Sequence, residues 1–289
     1  MKNRLKIFIL SILIIAVAAG IVFLCVNAVR SISYNKNAKN PVVTLSIEGY
    51  GDVKIELYPD YAPNTVSHIV NLVQKGFYNG KLFYGTDGTA VNAGMVLKEN
   101  TEEQNTTEEA STEEVLEPVE DELMASYYNS SIEANSENDY KISISGEFVA
   151  NDFDENTLRF EYGTVGLYRN DYDGYGTDLS NYSYNSGTSL FFILTEEDSN
   201  LNGMYTAFGK VTSGMDIIEK INSLPTKESE ESEETTNNIK YFDGNYPVIT
   251  SATVETYGVN YKVPEYMEAF DYNSYISNLL LQYYSSSNN

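Results

Sequence analysis

The sequence predicts a mainly β fold, an antiparallel barrel or sandwich with helical caps. Short runs of alternating apolar and polar residues recur along the chain, separated by glycine-containing turns, and only two segments carry the helical period. Val42–Ile47 alternates like a half-buried strand, and Val53–Leu57 repeats the pattern after Gly49-Tyr50-Gly51-Asp52, so the pair reads as a hairpin. Pro63 then opens a helix that Gly76 closes, with Val66, Ile69, Val70 and Val73 on one face. His68 falls within this helix and reads as a surface or edge residue with no ligand role. Turns and strands follow at Gly146-Glu147-Phe148, Gly163–Arg169 and Gly187–Thr195. Leu201–Val211 is hairpin-like, Gly214–Ile221 a short helix, and Pro247–Tyr257 a closing strand.

The chain has 289 residues, enough for one large or two small domains, and 42% of them are apolar. Its net charge of −24 argues against nucleic acid, because phosphate binding needs clustered Lys and Arg. With 25 Tyr and no Trp, aromatic packing falls to Tyr and Phe. The single cysteine, Cys25, lies in an apolar run, so no disulfide staples the fold.

Residues 1–30 read as a membrane anchor or signal-anchor. Lys2, Arg4 and Lys6 precede the uncharged span Ile7–Val29, which exceeds the roughly 20 apolar residues a bilayer core requires. Cleavage after Ala28 is the competing reading, since Val26-Asn27-Ala28 offers a small-residue site. With the short tail inside, the protein is single-pass at the cell membrane and its bulk is extracytoplasmic. Residues 31–40 form a polar linker. The acidic stretches 99–139 and 226–238 read as solvated loops, because their composition cannot bury enough apolar surface to offset ordering entropy. In Asn170–Asp178, carboxylates alternate with glycines as in a calcium loop, but Tyr182 stands where an EF-hand needs Glu, so a polar loop is favoured and no metal is assigned. The tail 259–289 offers Tyr266, Met267, Phe270, Tyr275, Ile276, Leu279 and Leu280 as an apolar face, for the domain or for a partner.

Gly51–Val66, Gly76–Gly80 and Phe83-Tyr84-Gly85 resemble the opening third of a cyclophilin, the cyclosporin-binding class of peptidyl-prolyl isomerases. Gly146-Glu147-Phe148, Gly163–Arg169, Ser189–Ile193, Phe208–Val211 and Gly214-Met215-Asp216 resemble later motifs of that family, in the right order across residues 41–258. The resemblance implies a closed eight-stranded antiparallel barrel with a helix over each end. It also implies a groove for proline-containing peptides and no cofactor.

In the family the first triplet ends in an arginine that donates to the prolyl nitrogen and weakens the amide resonance opposing rotation. Here that position is Gly85. The family's Phe-Met pair and following Gln fall on Thr89, Ala90 and Asn92, and its second Gln becomes Leu190. The Ala-Asn pair becomes Tyr168-Arg169, the Trp becomes Asn200 and the His becomes Tyr205, while Phe192 and Leu201 keep the proline-pocket residues. The implied peptide-binding set is therefore Phe192, Leu201, Tyr168, Leu190, Asn92 and Ala90. Arg169, otherwise an exposed surface residue, and Tyr205 are the substitute donors to consider. The reading is a peptidyl-prolyl isomerase acting on extracytoplasmic polypeptides with reduced activity; the alternative is a non-catalytic proline-peptide-binding or scaffold module at the cell surface.

Overall fold

The computed structural model describes residues 39–99, 116–128, 132, 140–172, 178–227 and 238–287. Ile7–Val29, most of the linker and much of both acidic stretches lie outside these residues. Among the described residues no helix is long and apolar enough to cross a membrane.

Strand β1 (Val42–Ile47) and β2 (Gly51–Leu57) form the expected hairpin, Val42 opposite Glu56 and Ile47 opposite Gly51. Helix α1 (Pro63–Gln74) follows. Then come β3 (Leu82–Thr86), β4 (Ala90–Glu99), β5 (Leu116–Val119), the short helix α2 (Ala125–Tyr128) and β6 (Ile142–Ser143). The second half carries β7 (Thr164–Leu167), α3 (Ser180–Tyr184), β8 (Phe191–Leu194), β9 (Ala207–Ser213) and α4 (Met215–Asn222). Last are β10 (Lys240–Tyr241), β11 (Ile249–Glu255), β12 (Met267–Glu268) and α5 (Tyr272–Ser287).

The main sheet runs β10-β3-β4-β8-β7-β9-β2-β1-β11, with β5 paired to the far end of β4. Its inward face and the apolar faces of α1 and α4 make the main core, which includes Leu45, Val53, Val66, Phe83, Phe191, Phe208 and Ile218. α1 has no side-chain cap of its own at Ala62. Glu147 supplies one from a distance: its two carboxylate oxygens accept the Asn64 and Thr65 N–H groups, each at 2.8 Å. This gives the Gly-Glu-Phe motif a structural role, satisfying orphan donors at a helix start.

Three expectations are corrected. The barrel is not closed by a continuous ladder: its ends, β3 and β11, meet only at the bridge Leu82–Val248 and a few backbone hydrogen bonds, such as Ile249 N–H to Lys81 O at 2.8 Å. The rest of that edge of β3 is taken by β10. The acidic stretch 99–139 is not a spacer throughout, because β5 pairs with Val96–Glu99 and Leu123, Ala125 and Tyr128 are buried in the main core. The stretch 201–211 is no hairpin, since a single turn of 3₁₀ helix, Ser199–Leu201, leads into β9.

The tail packs on the domain as far as Tyr272, whose ring stacks on Tyr172 at 5.2 Å between centroids. β12 pairs with β6, and Phe270 lies 4.0 Å from Tyr182, ring on ring. Beyond it, Leu279, Leu280 and Leu281 on α5 are exposed.

Candidate active site

Residues directly opposite each other on antiparallel strands project to the same face. The register sets Tyr241 opposite Gly85, Gly85 opposite Asn92, Asn92 opposite Phe192, Phe192 opposite Gly166 and Gly166 opposite Ala207. One row therefore crosses five strand pairs on the outward face of the sheet. Neighbouring phenylalanines confirm the alternation, for Phe191 joins the main core and Phe192 a separate cluster.

That second cluster consists of Ala90, Phe160, Phe192, Leu194 and Ala207, with Leu158, Tyr168, Leu201 and Tyr205 packed against it. It gathers most of the residues the sequence nominated. Phe160 stacks on Phe192 at 5.7 Å between ring centroids, and Tyr205 meets Phe192 edge-on at 5.9 Å. Gly166 makes room for this packing, since a Cβ there would stand 2.3 Å from Phe192 Cζ and 2.7 Å from Phe160 Cε1. Phe160 was missed by the sequence reasoning, although the alternation Leu158, Phe160 after Asn156 was there to be read. Leu190 is buried, and its carbonyl accepts the Tyr168 N–H at 2.9 Å.

Gly85 is not a simple vacancy. A Cβ built on it would lie 2.5 Å from the Lys240 carbonyl oxygen and 3.1 Å from Ile239 Cγ2. The backbone of β10 thus occupies the space that a side chain at 85 would enter. β10 is held there by Phe242, fully buried in the core, whose N–H donates to Tyr84 O at 3.0 Å. Tyr241 brings its ring 5.8 Å from that of Tyr84. Beside this row two buried polar atoms, Asn92 Nδ2 and Tyr84 Oη, have no hydrogen-bond partner among the described residues. Burial also raises the Tyr84 hydroxyl well above its ordinary range.

Arg169 is not the exposed side chain the sequence suggested; it is 8% exposed. Its Nε donates to Met204 O at 3.2 Å and its Nη1 to Asn170 O at 3.3 Å. The guanidinium carbon sits 4.3 Å from the centroid of Tyr205 and 5.1 Å from that of Tyr184. Two carbonyls and two rings hold it, as expected for a weakly hydrated planar cation. Tyr205 is its partner, and burial raises that hydroxyl too.

His68 is likewise internal, against the surface expectation. Its Nε2 faces the Thr188 carbonyl at 2.8 Å and must donate, so Nδ1 accepts from Tyr266 Oη at 3.2 Å. The ring is neutral, and burial lowers its pKa to about 4. Of the Asn170–Asp178 loop, residues 173–177 lie outside the described ones. Among the described residues no group of three His, Cys, Asp or Glu could hold a metal ion.

The family model for cyclophilin type peptidyl-prolyl cis-trans isomerase/CLD matches residues 42–241. A probable peptidyl-prolyl cis-trans isomerase of Brucella suis is 31% identical over 206 residues, covering 71% of this chain and 82% of that protein. A peptidyl-prolyl cis-trans isomerase of Arabidopsis thaliana is 27% identical over 178 residues, 62% of this chain and 59% of that protein. Among solved structures, a cyclophilin type peptidyl-prolyl cis-trans isomerase of Cryptosporidium parvum aligns at TM-score 0.46 and 17% identity, over 75% of this chain and 98% of that one. This chain belongs to the cyclophilin-type peptidyl-prolyl cis-trans isomerase family.

Proposed function

We propose that this protein is a slow peptidyl-prolyl isomerase, anchored in the cell membrane by Ile7–Val29 and acting on extracytoplasmic polypeptides. The apolar ground for a prolyl ring is Phe192 with Leu201 and Tyr205 around it. Asn92, on the same row, carries an amide donor with no partner among the described residues. Rotation about the prolyl bond requires loss of amide resonance, a barrier of about 18–20 kcal/mol. No nucleophile or general base is needed, so the rate depends on how well the twisted amide is bound relative to the planar one.

The observation that carries the reduced rate is the Lys240 carbonyl 2.5 Å from the place of a Cβ at Gly85. The family's cationic donor is absent, and backbone stands in its way. Asn92 and the tyrosine hydroxyls offer only neutral hydrogen bonds, roughly half as strong as charge-assisted ones. A second reading, a proline-peptide-binding module without turnover, draws on the burial of Asn92, at 3% exposed, and of Phe192, at 5%. A protease-coupled isomerisation assay together with peptide titration separates the two. Exchange faster than uncatalysed supports the isomerase, whereas binding with no acceleration supports the module.

A further inference from the structure

A second concave surface lies beside the row that runs through Gly85 and Phe192. It is a cleft of about 360 Å³ lined by Tyr58 and Tyr61 from the turn after β2, Leu158 and Arg159 from the segment before β7, and Thr164 and Lys210. Thr164 on β7 is directly opposite Lys210 on β9. Their neighbours Val165 and Val211 point into the main core, so both side chains face outward, as Phe192 does. Leu158 also packs against the Phe192 cluster, so the cleft and the peptide face share a wall.

The walls are fixed by short-range contacts. The rings of Tyr58 and Tyr61 meet edge-on at 6.4 Å between centroids. The Arg159 carbonyl accepts both the Thr164 hydroxyl and the Glu161 N–H, each at 3.0 Å. The Arg159 side chain is exposed and has no hydrogen bond or ion pair among the described residues. Lys210 Nζ reaches Glu161 at 3.5 Å with both side chains open to water, a pairing worth little. In a chain of 42 acidic and 18 basic residues, a guanidinium with no carboxylate beside it stands out. The other described arginine, Arg169, is committed to two carbonyls and two rings.

A guanidinium presents a planar fork that matches a carboxylate, and the tyrosine rings with Leu158 offer apolar surface to the chain that carries it. We propose that this cleft receives a carboxylate of the polypeptide bound at the Phe192 face, held by Arg159 with Lys210 beside it. The protein then prefers proline segments with an acidic group nearby. The preference is local, because the net charge of −24 repels acidic chains at long range. The inference rests on the outward face being a peptide groove.

The test uses the full-length protein and peptides of the type Ala-Ala-Ala-Pro-Ala-Ala-Ala, with one alanine at a time replaced by Asp or by its neutral isostere Asn. One set is blocked at both ends and a second has a free C-terminus. Affinity is read by NMR titration, and cis-trans exchange on the same samples. At the best position the Asp-over-Asn affinity ratio is expected to be about tenfold, the scale of one hydrogen bond to a charged group. It should collapse toward one in Arg159→Gln and rise in Glu161→Gln, which frees Lys210. Both residues are exposed, so neither change disturbs the core. An advantage in the blocked set assigns the cleft to acidic side chains, and one seen only with a free C-terminus assigns it to chain ends. A ratio near one throughout with no gain from a free C-terminus, a ratio kept by Arg159→Gln, or one that Glu161→Gln fails to raise overturns the proposal. Acid preference without accelerated exchange supports the cleft and removes only the isomerase reading, whereas no binding of any peptide overturns both.

Discussion

At the scale of single residues, the face is shaped more by what its neighbours occupy than by what is missing. Gly85 lacks a side chain because β10 fills that direction with backbone, which cannot rotate aside. Gly85→Arg is therefore expected to destabilise and not to restore a donor. Overpacking of this kind costs about 1–3 kcal/mol, or roughly 2–4 °C of Tm per kcal/mol in a domain of this size. A thermal melt and an isomerisation assay on the variant check both halves, and a faster enzyme with unchanged Tm would refute the argument. His68 gives a prediction in pH. Its folded pKa, about 4, lies below the ordinary value of 6.5, so the folded state disfavours its protonation. The stability linked to the neutral ring is complete above pH 6.5 and is lost as pH falls toward 4, on the order of 3 kcal/mol. Glu120 and Glu147, both raised by burial, act in the opposite sense just above the ordinary carboxylate range. The His68 contribution is thus isolated by difference: His68→Gln is expected to be less stable at pH 7.5 and to lose less Tm than wild type between pH 6.5 and 4.

At the scale of elements, strands were legible where burial alternates and illegible where a few anchors hide in polar text. β1, β2 and α1 announce themselves through period and turn residues, because each buries one whole face. β5 and α2 do not: three buried residues, Leu123, Ala125 and Tyr128, sit among carboxylates that dominate any window. β10, only Lys240 and Tyr241, is too short to carry a period, yet it decides what happens at Gly85. Of the candidate site, Phe192, Leu201, Asn92 and the loss at Gly85 were nominated from the sequence, while the β10 backbone that fills the space beside Gly85 comes from an insertion whose pairing no local pattern encodes. The packing of 116–128 makes a direct test. Leu123→Ala is expected to cost about 2–5 kcal/mol, as for other buried leucines. Replacing 99–139 by a short Gly/Ser bridge should lower Tm by more than that single change does. Little or no change in either melting curve would show that the segment does not contribute to the core.

At the scale of the whole molecule, anchoring and turnover are separate questions. The uncharged span Ile7–Val29 leads us to expect that full-length protein stays with membranes through a carbonate wash, with its bulk open to external protease on intact cells. A soluble form beginning at Val29 would mean that the span is a cleaved signal. For turnover, the reference reaction is slow, tens to hundreds of seconds uncatalysed, so weak catalysis is measurable. Removing one preorganised donor from a site of developing charge typically costs about 10²–10³ in rate. Arg169 is tied to the Met204 and Asn170 carbonyls and lies against Tyr205, so it is no replacement without breaking those contacts. We therefore expect kcat/KM about 10²–10³ below that of an arginine-bearing family member on the same peptide. Phe192→Ala should lower what activity remains, because the prolyl ring loses its apolar ground. Arg169→Ala is expected to loosen Tyr205 and lower Tm as well as rate. A wild-type rate equal to that of the arginine-bearing enzyme would contradict the assignment of Gly85 as the deciding position. A rate lost in Arg169→Ala with Tm unchanged would name Arg169 as the donor instead.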